Sequence, residues 1–247
     1  MTRTLRKADQ ALAYVLHHRP YRDTSRIIEL FSREHGRLTV FAQGARGPKS
    51  RSASLLQPFV RLLVSWRGHG EAATLTGVER GAAADDDRVP GLPAAAMMSG
   101  FYLNELLLRL TTRDDPHPEL FDAYAVTLAR LAGGEAPPAP LRAFERRLLD
   151  ELGYGVDLAV EMDSGRSIDP DGRYVYRAGQ GVARAVADAP GAVAGRSLIH
   201  LAEDRLQGRQ ELDDARRVLR AALDYCLEGR ELTTRAVARA MAGKESG

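Results

Sequence analysis

Five short runs of β-branched, aromatic and leucine residues occupy the first eighty positions, and they constrain the fold more than any other feature. The runs are 11–16 (ALAYVL), 26–31 (RIIELF), 37–42 (RLTVFA), 58–66 (PFVRLLVSW) and 72–78 (AATLTGV). Segments rich in Gly, Pro, Arg and Ser divide them, and no long helical pattern lies between successive runs. The arrangement predicts a small antiparallel barrel or sandwich rather than alternating strands and helices.

The number and length of these runs fit a five-stranded barrel of the OB type. The connection 43–58 would lie between the third and fourth strands, where such barrels usually carry a helix. The string HRPYRDTS at 18–25 is interpreted as a turn, because Pro, Asp, Thr and Ser cluster there.

Residues 81–93 (GAAADDDRVPGLP) mark the clearest boundary, since they combine Gly, Pro and an acidic triplet without periodicity. Helical periodicity follows, over 94–110, 118–131, 141–152, 197–206, 211–227 and 233–242. Residues 153–185 form a glycine-rich insertion with one plausible short strand, 174–176. The sequence therefore predicts an α+β chain: a barrel over 1–80, a linker over 81–93 and an α-helical domain over 94–247.

Positive charge is concentrated in the predicted barrel. Residues 1–80 hold fourteen Lys and Arg against six Asp and Glu, a formal charge of +8, whereas 81–247 carry −6, and the whole chain is +2. A compact basic module followed by an acidic helical part is typical of a nucleic-acid binder with a separate interaction body.

Membrane, secreted and disulfide-stabilised classes are disfavoured. The basic N-terminus lacks the apolar core of a secretory signal, and the apolar run 94–110 is interrupted by Asn104, Glu105 and Arg109. The single cysteine, Cys226, lies on the apolar side of a helical pattern and is interpreted as a small buried hydrophobe. We expect a cytoplasmic protein, associated with the nucleoid.

Two glycine patterns resemble nucleotide-binding loops, but neither meets the structural requirements of such a loop. In GARGPKS (44–50), Pro48 occupies the position before the lysine and offers no N–H to a phosphate. GHGEAA (68–73) fits G-x-G-x-x-A, but a strand-like alternation follows it instead of a helix. Both are interpreted as turns.

The sequence gives equally little support for a catalytic group of side chains. The histidines are scattered, apart from the adjacent pair 17–18, and Asp114, Asp115, His117 and Glu119 read as helix-capping and turn residues. We expect a protein that is not an enzyme.

The basic residues of the predicted barrel are the candidate DNA contacts. Arg46, Lys49 and Arg51 lie on the connection after the third strand, Arg19 and Arg22 flank Tyr21, and Arg26 and Arg37 lie on strands. Candidate base-stacking rings are Tyr14, Tyr21, Phe31, Phe41, Phe59 and Trp66. Alternatively, the rings form the core, where we expect at least half of them, and some arginines pair with Asp23, Glu29 or Glu34.

Six dispersed strings resemble the bacterial recombination-repair mediator family RecO. They are AYVLHHRPYRDTS, ELFSREHGRLTVFAQGARGPKS, LQPFVRLLVSWRGHGE, SGFYLNELLLRL, FERRLLDELGYG and GRELTTR, in the family's order and across nearly the whole chain. The resemblance implies an N-terminal OB fold and a helical C-terminal domain.

The resemblance also implies a DNA repair and recombination function. Such a protein binds single- and double-stranded DNA, anneals complementary strands and, with RecR, helps load RecA onto DNA coated by single-strand DNA-binding protein. The alternative is an adaptor that links RecR and single-strand DNA-binding protein with only weak DNA contact.

Some members of the resembled family carry a four-cysteine zinc site, which this chain lacks. The corresponding region, 156–176, has no cysteine, and Glu161, Asp163 and Asp169 do not reproduce such a cluster. We therefore expect no zinc and no cofactor, and packing of Tyr154, Tyr174 and Tyr176 to stabilise the insertion instead.

The resemblance also implies a site on the helical domain for the acidic, apolar tail of single-strand DNA-binding protein. Arg142, Arg146 and Arg130 are the candidates for its carboxylates, because a guanidinium suits a carboxylate. In the predicted helix 141–152, Arg142 and Arg146 lie away from the apolar face. For Arg146, an intrahelical pair with Asp150 is the alternative.

Overall fold

A computed structural model describes residues 5–45, 51–69, 72–81, 92–155, 157–186 and 189–245. The chain forms two compact units, 1–134 and 135–247. The first unit contains the strand-rich region and the first two long helices. Most of the predicted linker, 82–91, lies outside the described residues.

The first unit begins with a closed barrel. Its strands are β1 (Leu5–Tyr21), β2 (Ser25–Ser32), β3 (Gly36–Ala42), β4 (Arg61–His69) and β5 (Ala72–Arg80), in the spatial order β1-β2-β3-β5-β4. Neighbouring strands are antiparallel except β3 and β5, which are parallel. A short helix, α1 (Arg51–Leu55), lies between β3 and β4. The predicted five-stranded OB barrel is confirmed.

Alternating side chains fill the barrel. Val15, Ile28, Val40 and Val64 are fully buried in its core, and Trp66 is only 2% exposed. Residues that alternate with these along each strand face outward. Inward residues are mostly aliphatic, which is the arrangement that lets five short strands share one core.

The first strand is longer than the sequence predicts, with 17 residues. The interpretation of 18–25 as a turn is wrong for 18–21, because β1 continues to Tyr21 and Pro20 pairs with Arg26 of β2. Proline is tolerated there because it lies at the end of the strand. Two register shifts, after Ala8 and after Val15, bend the long strand around the barrel.

Two helices complete the first unit: α2 (Ala94–Leu110) and α3 (Pro118–Ala132). An aromatic cluster joins α3 to the outside of the barrel, since the rings of Tyr14 and Phe31 contact those of Phe121 and Tyr124 at centroid distances of 5.0–6.4 Å. One end of the barrel wall is therefore covered by apolar packing.

The second unit is mainly helical. It contains α4 (Pro138–Glu151), α5 (Gly195–Ala202), α6 (Gly208–Cys226) and α7 (Thr233–Glu245), with α6 packed against α4 and α5. The insertion folds into a small sheet of β6 (Arg173–Arg177), β7 (Gly181–Arg184) and β8 (Val193–Ala194). The single strand predicted there is thus one of three. Among the described residues, no helix has both the length and the apolar character needed to cross a bilayer.

Candidate nucleic-acid interface

The strand register assembles a row of side chains on the outside of β1, β2 and β3. His17 lies opposite Glu29, which lies opposite Thr39, and one step along, Arg19 lies opposite Ile27, which lies opposite Phe41. We call this surface the β1–β3 outer face, and it comprises His17, Arg19, Tyr21, Ser25, Ile27, Glu29, Arg37, Thr39 and Phe41. The inward neighbours Ile28, Val40 and Ala42 are buried in the core, which fixes its outward orientation.

Two aromatic rings remain accessible on this face. Of the six predicted stacking residues, Tyr14, Phe31, Phe59 and Trp66 are at most 5% exposed, so the expectation that at least half are core is confirmed. Tyr21 and Phe41 are only partly buried, and their ring centroids lie 5.3 Å apart at an interplanar angle of 47°. The face therefore offers apolar rings to a ligand at one end only.

Cations flank the two rings. Arg22 places its guanidinium 5.2 Å from the Tyr21 ring centroid, a cation–π arrangement, and Arg19 is exposed on the same face. Arg22 also has a φ of +51°, a left-handed conformation that bulky residues rarely adopt. The tight turn between β1 and β2 holds Arg22 there, next to Tyr21.

A carboxylate organises the middle of the face. Glu29 accepts hydrogen bonds from Thr39 Oγ1 at 2.7 Å and from Arg113 Nη2 at 2.7 Å, and Arg37 Nη1 lies 3.4 Å from its other oxygen. Arg37 Nη2 also donates to the Thr111 carbonyl at 2.9 Å. Two guanidinium groups thus share one carboxylate, which leaves the cluster with net positive charge.

Arg113 is a site residue that the sequence reasoning missed. It lies 84 residues from Glu29 in the chain, in the α2–α3 connection, and no local pattern links the two positions. The connection runs beside β3, where Asp114 N donates to the Arg37 carbonyl at 2.9 Å and Arg113 forms a parallel bridge with Arg37. That backbone pairing brings a half-exposed cation to the β1–β3 outer face.

The predicted strand cations lie on opposite sides of the barrel wall. Arg19 and Arg37 lie on the outer face, and burial lowers the pKa of Arg37, although Glu29 opposes that effect. Arg26 pairs with Ala42 on the inward side of β2, and its buried Nη1 has no hydrogen-bond partner. It adjoins His18, whose pKa is lowered first by burial and then by the charges of Arg26 and His17.

Only one of the three predicted loop cations lies within the part of the chain that the structure describes. Arg46 and Lys49 lie outside the described residues, together with most of GARGPKS, and Arg51 is the first residue of α1. The connection leaves β3 just after Ala42, which is one residue beyond Phe41. These positions therefore adjoin the end of the outer face in the chain.

Two of the three arginines predicted to bind a protein tail lie on α4 and already pair with carboxylates of that helix. Arg142 is only 8% exposed, so the expectation that it lies away from the apolar face of its helix is wrong. Its Nη2 donates to Glu145 at 2.6 Å, and the two side chains are buried together as an ion pair. Arg146 pairs with Asp150 at 3.0 Å, as the alternative predicted, and Arg130 lies on α3 in the first unit.

An ion-pair network stabilises the glycine-rich insertion. Arg184 lies 3.5 Å from Glu161 and 3.2 Å from Asp169, and the buried Tyr174 hydroxyl donates to Glu161 at 3.2 Å. The hydrogen bond from Ser164 lowers the pKa of Glu161 most, aided by Tyr174 and Arg184. Across the described ranges, no group of three or more His, Cys, Asp or Glu side chains could hold a metal ion.

A closed five-stranded barrel with a helix between its third and fourth strands defines an OB-fold protein. Residues 8–81 match the family model "Recombination protein O N terminal", and residues 94–236 match "Recombination protein O C terminal". A DNA repair protein RecO of Methylococcus capsulatus is 45% identical over 227 residues, covering 92% of this chain and 91% of its own length. One of Aromatoleum aromaticum is 42% identical over 234 residues, covering 94% and 95%. The chain belongs to the RecO family of DNA repair and recombination proteins.

Proposed function

We propose that this protein is a recombination mediator that binds single- and double-stranded DNA on its β1–β3 outer face and anneals complementary strands. Together with RecR, it helps load RecA onto DNA coated by single-strand DNA-binding protein. Membership of the RecO family supports the repair role, and the outer face supports the DNA contact.

The observation that carries the proposal is the combination of cations and rings on one exposed wall. Arg19 and Arg22 are exposed near Tyr21 and Phe41, and Arg113 is nearly half exposed beside Glu29, further along the same face. Guanidinium groups bind phosphate oxygens, and aromatic rings accept unpaired bases, so both parts of a single strand have a matching group. The formal charge of +8 on residues 1–80 attracts the strand from a distance.

The remaining predicted cations have three different roles in the proposal. Arg46, Lys49 and Arg51 follow β3 along the chain and would continue the phosphate path beyond Phe41. Arg26 lies at the same end of β2 but on the inward side, so in the proposal it adds positive charge near the outer face without forming part of it. Arg37 acts by position, because its hydrogen bonds to Thr111 hold the connection that carries Arg113.

A salt titration of single-strand binding tests the proposal against the adaptor alternative. For a mediator, log K should fall steeply with log salt, by about 0.7 for each phosphate neutralised. Arg19→Gln with Arg22→Gln should weaken binding and reduce the slope, whereas Arg109→Gln is the matched control, since Arg109 is exposed on α2 of the same unit. A shallow slope in the unmodified protein would favour the adaptor.

Annealing is tested on the connection after β3. Reversal of Arg46, Lys49 and Arg51 to Glu should slow the annealing of complementary strands, because the reversed loop repels both backbones. Annealing at the rate of the unmodified protein would remove this loop from the site.

We further propose that the helical region receives the acidic, apolar tail of single-strand DNA-binding protein, with Arg130, Arg142 and Arg146 as candidate contacts. On α4 the proposal is tested at Arg146. Its side chain is partly exposed, and its ion pair with Asp150 can open to a competing carboxylate. Arg146→Ala should weaken binding of a tail peptide and leave DNA binding intact. Arg147→Ala is the matched control, because Arg147 forms the equivalent pair with Glu151 one residue further along.

A further inference from the structure

Tyr21 and Phe41 are adjacent rings that the described residues leave only partly buried. At the other end of the same wall, Tyr14 and Phe31 are buried under Phe121 and Tyr124 of α3. By contrast, the rings of Tyr21 on β1 and Phe41 on β3 remain partly accessible. Contiguous exposed apolar surface is a feature of ligand-binding sites.

The geometry of the pair suits a flat, unsaturated ligand. The two rings touch at 5.3 Å with a tilt of 47°, so neither ring stacks face to face on the other. The Arg22 guanidinium lies over the Tyr21 ring, 5.2 Å from its centroid. Guanidinium planes and aromatic faces are the two surfaces on which nucleobases stack in proteins.

The neighbouring groups supply the matching charge. Arg19 is two residues from Tyr21 along β1 and shares its face, while Ile27 separates Arg19 from Phe41 across the strands. A phosphate at Arg19 would place the attached base over the apolar surface of Ile27 and Phe41. The next carboxylate on this face, Glu29, is already engaged by Arg113 and Thr39.

We infer that Tyr21 and Phe41, with Arg22, form a base-stacking platform for unpaired bases, so that this chain binds single-stranded DNA more tightly than double-stranded DNA. This inference rests on the proposed function and assigns the ring contacts within it. In a duplex the base faces are stacked on each other, so the platform reaches only phosphates there. Phosphate contacts alone do not distinguish the two forms in this way.

The test compares three DNA probes of equal length: a single strand, an abasic single strand and a duplex. Tyr21→Leu and Phe41→Leu keep apolar volume and should each lower single-strand affinity about tenfold, while abasic-strand and duplex affinities change by less than about twofold. Phe101→Leu is the matched control, since Phe101 is an exposed ring on α2 of the same unit and contacts only Phe59 among the aromatic pairs described.

The outcomes separate this inference from the proposed function. If the unmodified protein binds the single strand with a steep salt dependence and both leucine variants bind it equally well, the platform is wrong and the DNA-binding function stands. Equal losses on the base-containing and the abasic strand would also overturn it, because the rings would then act through the cations alone. If the unmodified protein binds none of the probes, the proposed function fails, and the platform with it.

A fluorescent variant keeps the inference testable if the leucine variants fold poorly. Trp66, the single tryptophan, is 2% exposed inside the barrel and serves as a constant background. In Tyr21→Trp, saturation with the single strand should quench the new indole, whereas the abasic strand should not. Saturated binding without quenching would overturn the platform.

Discussion

Asn104 of α2 donates a hydrogen bond from Nδ2 to the backbone carbonyl of Leu16, at 2.8 Å, in the buried wall between helix and barrel. Leu16 is the residue at the register shift between Val15 and His17, where the β1–β2 ladder is interrupted. The amide oxygen of Asn104 accepts from the Tyr124 hydroxyl at 2.5 Å, and burial raises the pKa of that tyrosine. One asparagine therefore satisfies a bulge carbonyl and a buried hydroxyl together.

Replacement of Asn104 by Ala should destabilise the first unit by about 2–3 kcal/mol, because two buried polar groups lose their partner. Tyr124→Phe removes only the donor to the Asn104 oxygen and should cost about 1 kcal/mol. Urea unfolding measures both. Equal costs for the two variants would show that the Leu16 contact contributes nothing.

Gly36 and Gly44 provide a matched pair for backbone crowding. Both have a φ near +65°, but a Cβ on Gly36 would lie 2.1 Å from the Asp115 carbonyl oxygen, whereas one on Gly44 would meet nothing within 4 Å. Gly44→Ala should cost about 1 kcal/mol from backbone strain alone. Gly36→Ala should cost at least about 2 kcal/mol more, because it pushes the Arg113 connection away from β3. Thermal unfolding of both variants checks the difference.

The barrel was predictable because its signals are local. Alternation and turn residues define five strands from neighbouring positions, and apolar periodicity defines the helices that follow. The full length of β1 was not, since its last residues are extended only through pairing with β2, as Pro20 does with Arg26. The strands β7 and β8 were missed for the same reason, because each has at most four residues and depends on β6.

The candidate site was partly predictable. Arg19, Arg22, Tyr21 and Phe41 were chosen from residue type, but the burial of Tyr14 and Phe31 by α3 follows from tertiary packing. Arg113 reaches Glu29 from a distant segment and left no local signal. The burial of Arg142 was missed because a charged residue on a helix is expected in solvent unless its partner, here Glu145, is recognised.

Glu29→Gln should strengthen single-strand binding if the proposed function holds. The substitution keeps the shape of the side chain but removes the carboxylate charge that engages Arg37 and Arg113. We expect severalfold tighter binding at low salt and a slope of log K steeper by about 0.7, equivalent to one more phosphate contact. Asp122→Asn is the control, since Asp122 lies on α3 and its substitution releases Arg33, just after β2, by the same charge change. Tightening in both variants would indicate a general charge effect.

The Glu161 network makes the insertion sensitive to acid. Because the folded state lowers the pKa of Glu161 below its ordinary value of 4.5, this group stabilises the fold fully above that pH. The stabilisation is lost as the pH falls through the lowered pKa. In Glu161→Gln the stability of the second unit should depend less on pH over that acidic range. Unfolding curves at a series of pH values measure this, and identical pH profiles would contradict the network's role.

Arg142 and Arg146 lie one turn apart on α4 and should respond differently to truncation. Arg142→Ala leaves the Glu145 carboxylate buried without the Arg142 guanidinium. Loss of one member of a buried pair costs about 3–5 kcal/mol of stability. Arg146→Ala removes a partly exposed pair with Asp150 and should cost about 0.3–0.5 kcal/mol. The double variant Arg142→Met with Glu145→Leu should recover most of the stability, because no charge is then buried alone. If that double variant is stable and still binds the tail peptide of single-strand DNA-binding protein, the Arg142 guanidinium is structural rather than a tail contact; if it is stable and has lost the peptide, the guanidinium contacts the tail.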